Sequence, residues 1–327
     1  MKTLKIGFAG FRHAHIYGLY ETAKNNKDVE IVAAWEENES ARNEAVSKGV
    51  TFNCDTFEDL LNNKDIDIIA IGDYYGRRGE LAIRALQNGK HVIADKPLCT
   101  SLDELNEIRR LSKENNLKVG LMLDLRYHKN FVTAMDLVKK GEIGEINNIC
   151  FEGQHNLAYG QRPGWYFEDG KHCGTINDIA IHGIDIVKYG LGLDLKEVNA
   201  ARTWNKFADK EPQFKESAQF MLTLSNGAGL IADVSYAQPS NISFPFPYYW
   251  GFKLWGTGGV IAFTVSSQKV ELYKNGEKEL LLFDGTATDR NYLTDFIDDI
   301  NGKINYTDGI LASTEDTLKI QNVADLA

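Results

Sequence analysis

Short apolar runs and amphipathic stretches alternate through the first third of the sequence, and this alternation limits the fold more than any other feature. Strand patterns fall at Leu4 to Ala9, Glu30 to Trp35, Ile66 to Ile71, His91 to Ala94 and Lys118 to Leu123. Helical patterns lie at Ala14 to Asn25, Gly79 to Asn88 and Ser101 to Asn116, the last opened by a predicted capping box of Ser101 with Glu104. Repeated βα units of this size imply a parallel sheet with helices on both faces. The expected fold class is α/β, with a doubly wound Rossmann sheet over residues 1–123.

From Asp124 the pattern changes. At 327 residues the chain is too long for one ordinary core, so residues 124–327 are expected to form a second domain. A helix over about Lys129 to Lys140 ends at Gly141. Ser217 to Leu224 alternates and turns at Ser225-Asn226-Gly227 into Ala228 to Tyr236. Gly251 to Trp255, Val260 to Val265, Val270 to Tyr273 and Glu279 to Phe283 follow, with Asn275-Gly276 as a hairpin turn. The expectation is an α+β domain with a large, mostly antiparallel, open sheet. Helices would cover one face, and the other would serve to make a homodimer or homotetramer. Helical patterns return from about Tyr292.

The formal net charge of −10 argues against nucleic acid or an anionic membrane surface as partner. No apolar run is long enough to span a bilayer, and Met1-Lys2-Thr3 leads directly into a strand pattern, without the look of a signal peptide. The four cysteines (Cys54, Cys99, Cys150, Cys173) are scattered with no C-x-x-C pair, which fits a reducing, cytoplasmic setting.

Three stretches carry candidate chemistry. Gly89-Lys90-His91-Val92-Ile93-Ala94-Asp95-Lys96-Pro97 runs through a strand and stops at a proline, which puts Lys96 at the carboxyl edge where open α/β sheets bind ligands. A lysine there is either a surface charge or a group placed for chemistry. Gly7-Phe8-Ala9-Gly10-Phe11-Arg12-His13-Ala14-His15 follows a strand and opens a helix, the setting of a dinucleotide fingerprint. Of its three glycines only Gly10 is present; Arg12 and His15 hold the other places. Glu36 sits just after the second strand, where a ribose diol is usually bound. In the second half Asp178, His182 and Asp185 share one helix face with Tyr189, opposite Ile176, Ala180, Ile184, Val187 and Leu191. Such a face is either a solvated polar surface or an acid–base pair. No histidine has a second-ligand spacing such as H-E-x-x-H, so no metal is expected.

With these residues in view, the whole chain resembles the Gfo/Idh/MocA family of glucose–fructose oxidoreductases and myo-inositol dehydrogenases. Gly89 to Pro97 is similar to its G-K-H-V-x-x-E-K-P signature, with Asp95 for glutamate. Asn177 to Asp185 is similar to D-x-G-x-H-x-x-D, with Ala180 for glycine. Arg126 and Gly141-Glu142-Ile143-Gly144 stand where the family has an R-F/Y pair and a G-x-I-G turn. The chain departs at Asp73-Tyr74-Tyr75-Gly76-Arg77-Arg78, where T-P-N-x-x-H is usual, and at His172-Cys173-Gly174, where three glycines are usual.

The resemblance implies Lys96, Asp178 and His182 as catalytic residues of a hydride transfer between a nicotinamide and a hydroxyl-bearing carbon of a sugar, polyol or sugar acid. It implies NAD, with NADP the less expected cofactor, held by Gly10, Phe11, Arg12, His13, Glu36, Asp73, Tyr74, Asp95 and Lys96. Substrate contacts would come from Arg126, Arg162, Trp165, Tyr166 and Asp178, with core packing as the other reading of Trp165. Two rival functions stay open: an NAD-dependent glycoside hydrolase using transient oxidation, and a non-catalytic ligand-binding relative.

Overall fold

A computed structural model of the chain describes residues 2–327. The chain forms two compact units, one of Met1–Met122, Glu168–Cys173 and Tyr292–Glu315, the other of Leu123–Phe167, Gly174–Asn291 and Asp316–Ala327.

The first unit is built on five parallel strands: β1 (Leu4–Ala9), β2 (Val29–Trp35), β3 (Ile68–Ile71), β4 (His91–Ala94) and β5 (Val119–Leu121). Their order is β2-β1-β3-β4-β5. The chain therefore winds one way from β1 to β2 and the other way from β3 onward. The reversal opens a crevice at the carboxyl ends of β1 and β3. Strands β3 and β4 are almost wholly buried, as parallel strands covered on both faces must be.

Helices α1 (His15–Lys24), α2 (Glu39–Ser47), α3 (Phe57–Asn62), α4 (Tyr75–Gln87) and α5 (Leu102–Glu114) connect the strands. Neither α2 nor α3 is expected from the sequence pattern. Asn38 caps the first of these by accepting from Ala41 N, and Thr56 with Asp59 forms a reciprocal capping box on the second. Helix α4 begins earlier than the pattern from Gly79 suggests. Ser101 Oγ does accept from Glu104 N, but the Glu104 carboxylate returns to Thr100 N, not to Ser101 N, so the predicted box is closed one residue early.

In the second unit, α6 (Lys129–Lys139) and α7 (Ile181–Leu191) accompany eight strands: β6 (Ile146–Gln154), β7 (Leu195–Trp204), β8 (Ser217–Leu224), β9 (Gly229–Ser235), β10 (Gly251–Gly256), β11 (Gly259–Thr264), β12 (Val270–Lys274) and β13 (Leu281–Phe283). The order is β13-β12-β11-β10-β6-β9-β8-β7, and only the β6–β9 pairing is parallel. Phe131 of α6 packs edge-on against Phe252 and Phe263, which with Phe151 form a stacked aromatic core on the inner face. Gly183 of α7 allows the Phe151 ring to lie directly against that helix.

The remaining helices are α8 (Tyr292–Ile300) and α9 (Thr307–Asp325). Phe296 of α8 lies over Gly120 of β5, Thr307 Oγ1 accepts from Val119 N at 3.0 Å, and Tyr306 donates to Leu121 O at 2.8 Å. These contacts cover what would otherwise be an open sheet edge. Among the described residues no helix is long and apolar enough to cross a membrane.

Candidate active site

In the first unit the turn after β1 is shaped by Gly10. Its φ of +83° belongs to the left-handed region, and a Cβ there would sit 2.8 Å from Asp73 N. The next residue, Phe11, turns its ring into the core against Phe8, Tyr20 and Phe52, so only its backbone faces the turn. Phe11 N donates to Glu36 Oε2 at 2.6 Å and Asn38 N to Glu36 Oε1 at 2.7 Å. Burial pushes the Glu36 carboxyl up, and these two N–H groups oppose that shift. Glu36 thus ties the β1 turn to the end of β2. Asp73 is also pushed up by burial, against the pull of Tyr74 N and the Arg77, Arg12 and Arg78 charges. Arg12 lies over the Tyr74 ring, and Arg77 bridges Asp73 and Glu37.

The end of β4 is organised by a residue the sequence reading passed over. Arg78 is fully buried; its Nη1 donates to Asp95 O (2.9 Å), Lys96 O and Pro97 O (3.3 Å), its Nε to Asp73 O (2.7 Å) and its Nη2 to Asp95 Oδ2 (3.0 Å). One guanidinium therefore binds the loops after β3 and β4 together. Burial opposes charge on Asp95, yet Arg78, His13 and His15 hold its carboxyl well below the usual range. His13 Nδ1 meets Asp95 Oδ2, and the Tyr75 hydroxyl lies 3.2 Å from His13 Nε2. Burial lowers the His13 pKa to about 4, against the pull of Asp95. Lys96 is 2% exposed.

In the second unit, Ile176–Ala180 forms a single π-helical turn that leads into α7. The regular α-helical face expected for Asp178, His182 and Asp185 is broken by that turn, and all three are buried, not presented to water. The Tyr236 hydroxyl donates to Asp178 Oδ2; burial first and Asp178 second push that phenol well above its usual range. His182 Nδ1 is 3.6 Å from Asp124 Oδ1, and the ring meets Trp250 edge-on. Gln321 Oε1 accepts from Ile176 N (3.1 Å) and Asn177 N (3.3 Å), which supplies acceptors at the start of the wide turn.

Three residues expected to touch substrate have structural partners here. Arg126 directs Nε (2.6 Å) and Nη2 at the two oxygens of Asp185, and Tyr189 lies against the guanidinium. Arg162 donates to Leu157 O (2.6 Å) and Asn156 O (2.7 Å) and stacks on Tyr166 and Tyr236. Trp165 is buried with its ring centroid 4.2 Å from that of Tyr166, as core packing would have it.

Comparison with known protein families matches residues 1–122 to the description "Oxidoreductase family, NAD-binding Rossmann fold" and residues 131–262 to the GFO/IDH/MocA C-terminal domain. The chain belongs to the Gfo/Idh/MocA family. Relatives of this family member include an inositol 2-dehydrogenase of Salmonella agona, 26% identical over 60% of this chain and 57% of that one. The scyllo-inositol 2-dehydrogenase (NADP(+)) of Bacillus subtilis is 25% identical over 52% and 46%. A crystal structure from Erwinia carotovora atroseptica superposes with a TM-score of 0.88 at 25% identity over 98% of both chains. The match spans about half the length of the curated relatives, 42%, 51% and 40% of three of them.

The first unit of this family member fits a bound dinucleotide. The left-handed turn at Gly10 ends at the exposed N-terminus of the ten-residue α1, at the carboxyl edge of a parallel sheet. The positive end of the helix dipole favours a pyrophosphate there.

Proposed function

We propose that this chain is an NAD-dependent oxidoreductase that moves a hydride between nicotinamide and a hydroxyl-bearing carbon of a sugar, polyol or sugar acid. One observation carries the reading: Lys96, Asp178 and His182 are 2%, 2% and 6% exposed. Charged or titratable groups are seldom buried without a purpose or a partner. In this reading the Gly10–His13 turn, Glu36, Asp73 and Tyr74 hold the cofactor, and Asp95, fully buried, orders the end of β4 through His13 and Arg78. Bound NAD supplies the hydride acceptor or donor.

His182 takes the proton from the substrate hydroxyl, since neutral imidazole is a base near physiological pH. Asp124 faces the Nδ1 side of that ring at 3.6 Å and favours the charge the ring gains. Asp178, fixed by Tyr236, accepts a hydrogen bond from a substrate hydroxyl. Lys96 donates to the reacting oxygen and stabilises its negative charge as the proton leaves. Relatives named as inositol dehydrogenases favour polyols among the substrates. Glu36 at the end of β2 favours NAD over NADP, because a 2′-phosphate would approach a carboxylate. Arg12 is the opposing charge, and it lies within reach of Glu36.

The test is a tryptophan-fluorescence titration with NADH and NADPH, followed by a panel of sugars and polyols read at the NADH absorbance. Tighter NADH binding and NADH formation with at least one polyol are expected. Binding of neither cofactor would overturn the reading in favour of a non-catalytic relative, and tighter NADPH binding would show that Arg12 outweighs Glu36.

A further inference from the structure

Two departures from the family's sequence pattern converge on one cluster in the first unit. His15 stands at the place of the third fingerprint glycine and Asp95 at the place of the signature glutamate. His13, His15 and Asp95 each offer a ligand atom, and these atoms lie within 4.8 Å of one another. The two imidazole centroids are 4.4 Å apart. Asp95 Oδ2 is occupied by His13 and by Arg78, whose four backbone-carbonyl bonds fix the orientation of the carboxylate. That orientation turns Oδ1 towards His15.

Asp95 Oδ1 is fully buried and has no hydrogen-bond partner among the described residues. A buried acceptor left in this way calls for a water or an ion. His15 Nδ1 lies 3.4 Å from it. This separation is long for a hydrogen bond, and it matches the edge of about 3.4 Å of a tetrahedron whose centre is about 2.1 Å from each donor. An ion would displace the proton that His13 Nδ1 shares with Asp95 Oδ2, and Nε2–H would then donate to the Tyr75 hydroxyl 3.2 Å away, the outer partner a metal-bound histidine keeps. The His15 side chain is 51% exposed and gives an ion a route from solvent.

We propose that His13, His15 and Asp95 form a site for one divalent first-row transition-metal ion of the zinc class. Two imidazoles and one carboxylate are a donor set such ions select, and alkaline-earth ions prefer oxygen alone. The ion ties the turn after β1 to the end of β4. The Arg78 guanidinium on the other carboxylate oxygen repels it, so the ion is held exchangeably. The sequence carries no histidine pair at helical spacing, and these donors come instead from a turn and a distant strand end. The proposal does not depend on hydride transfer.

The test is a titration of the tag-free, chelator-stripped full chain with cobalt(II), read by its visible absorption. One equivalent per chain, with the bands of a low-coordinate cobalt ion that zinc then removes, is expected. His15→Ala changes an exposed side chain, so its circular dichroism should match the parent, and loss of one ligand should weaken cobalt binding by more than about 10-fold. No cobalt bands, or the same stoichiometry and affinity in His15→Ala, would overturn the site.

Discussion

His91 begins β4, and its Nδ1 accepts the backbone N–H of Lys118 at 2.9 Å, a bond that only an unprotonated nitrogen can receive. Burial, ahead of the opposing pull of Asp67, lowers its pKa below the ordinary 6.5. The unfolded chain therefore takes up this proton first, and the stabilisation present above pH 6.5 is lost as the pH falls below it. His91→Asn keeps a side-chain acceptor and does not titrate. Its urea midpoint should fall less steeply than the parent's between about pH 7 and pH 5; identical slopes would mean that His91 has no part in acid sensitivity. At this scale the sequence was informative where the cause is local. Gly10 is legible because a βα turn demands its conformation, whereas the two backbone N–H groups that Glu36 accepts from were not. Arg78, Tyr236 and Gln321 were not legible, because each acts on a partner remote in sequence. The same blindness hides that the Arg126 fork is directed at Asp185.

The parallel sheet was readable at the level of elements because its strands are short, continuous apolar runs. Helices α2 and α3 were not, being short and more polar, and marked chiefly by their caps at Asn38 and Thr56. β7 escaped notice because it is an edge strand with little burial, and β6 because Asn147 and Asn148 dilute its pattern. The π turn at Ile176–Ala180 cannot be seen in a search that assumes 3.6 residues per turn. The open sheet makes its own prediction. Ala200, Met221, Ile231, Cys150, Lys253, Ala262, Glu271 and Leu282 are successive register partners across all eight strands. Met221, Ile231 and Leu282 of this row are exposed, as are Trp255 and Tyr273 beside it. Apolar area of this kind on one sheet face suits a second copy of the chain. Light scattering at micromolar concentration should give a dimeric or tetrameric mass, and Ile231→Lys should shift it towards the monomer. A monomeric parent would contradict this.

For the whole molecule, the account rests on three buried groups, Lys96 of the first unit and Asp178 and His182 of the second. The resemblance to the family's signatures pointed to these positions, although Asp95 and Ala180 depart from the pattern. What no spacing could show is the setting of each group, with Lys96 at a strand end fastened by Arg78 and Asp178 held by Tyr236 in a π turn. The most direct test is single-turnover hydride transfer with the parent, His182→Asn and Lys96→Met, using whichever polyol or sugar the panel identifies. The rate of alcohol oxidation by the parent should rise with pH through one ionisation. His182→Asn should lower that rate by about 10²–10⁴-fold and flatten the rise, and Lys96→Met should also suppress it. Near-parental rates in both variants, with the pH dependence intact, would contradict the account.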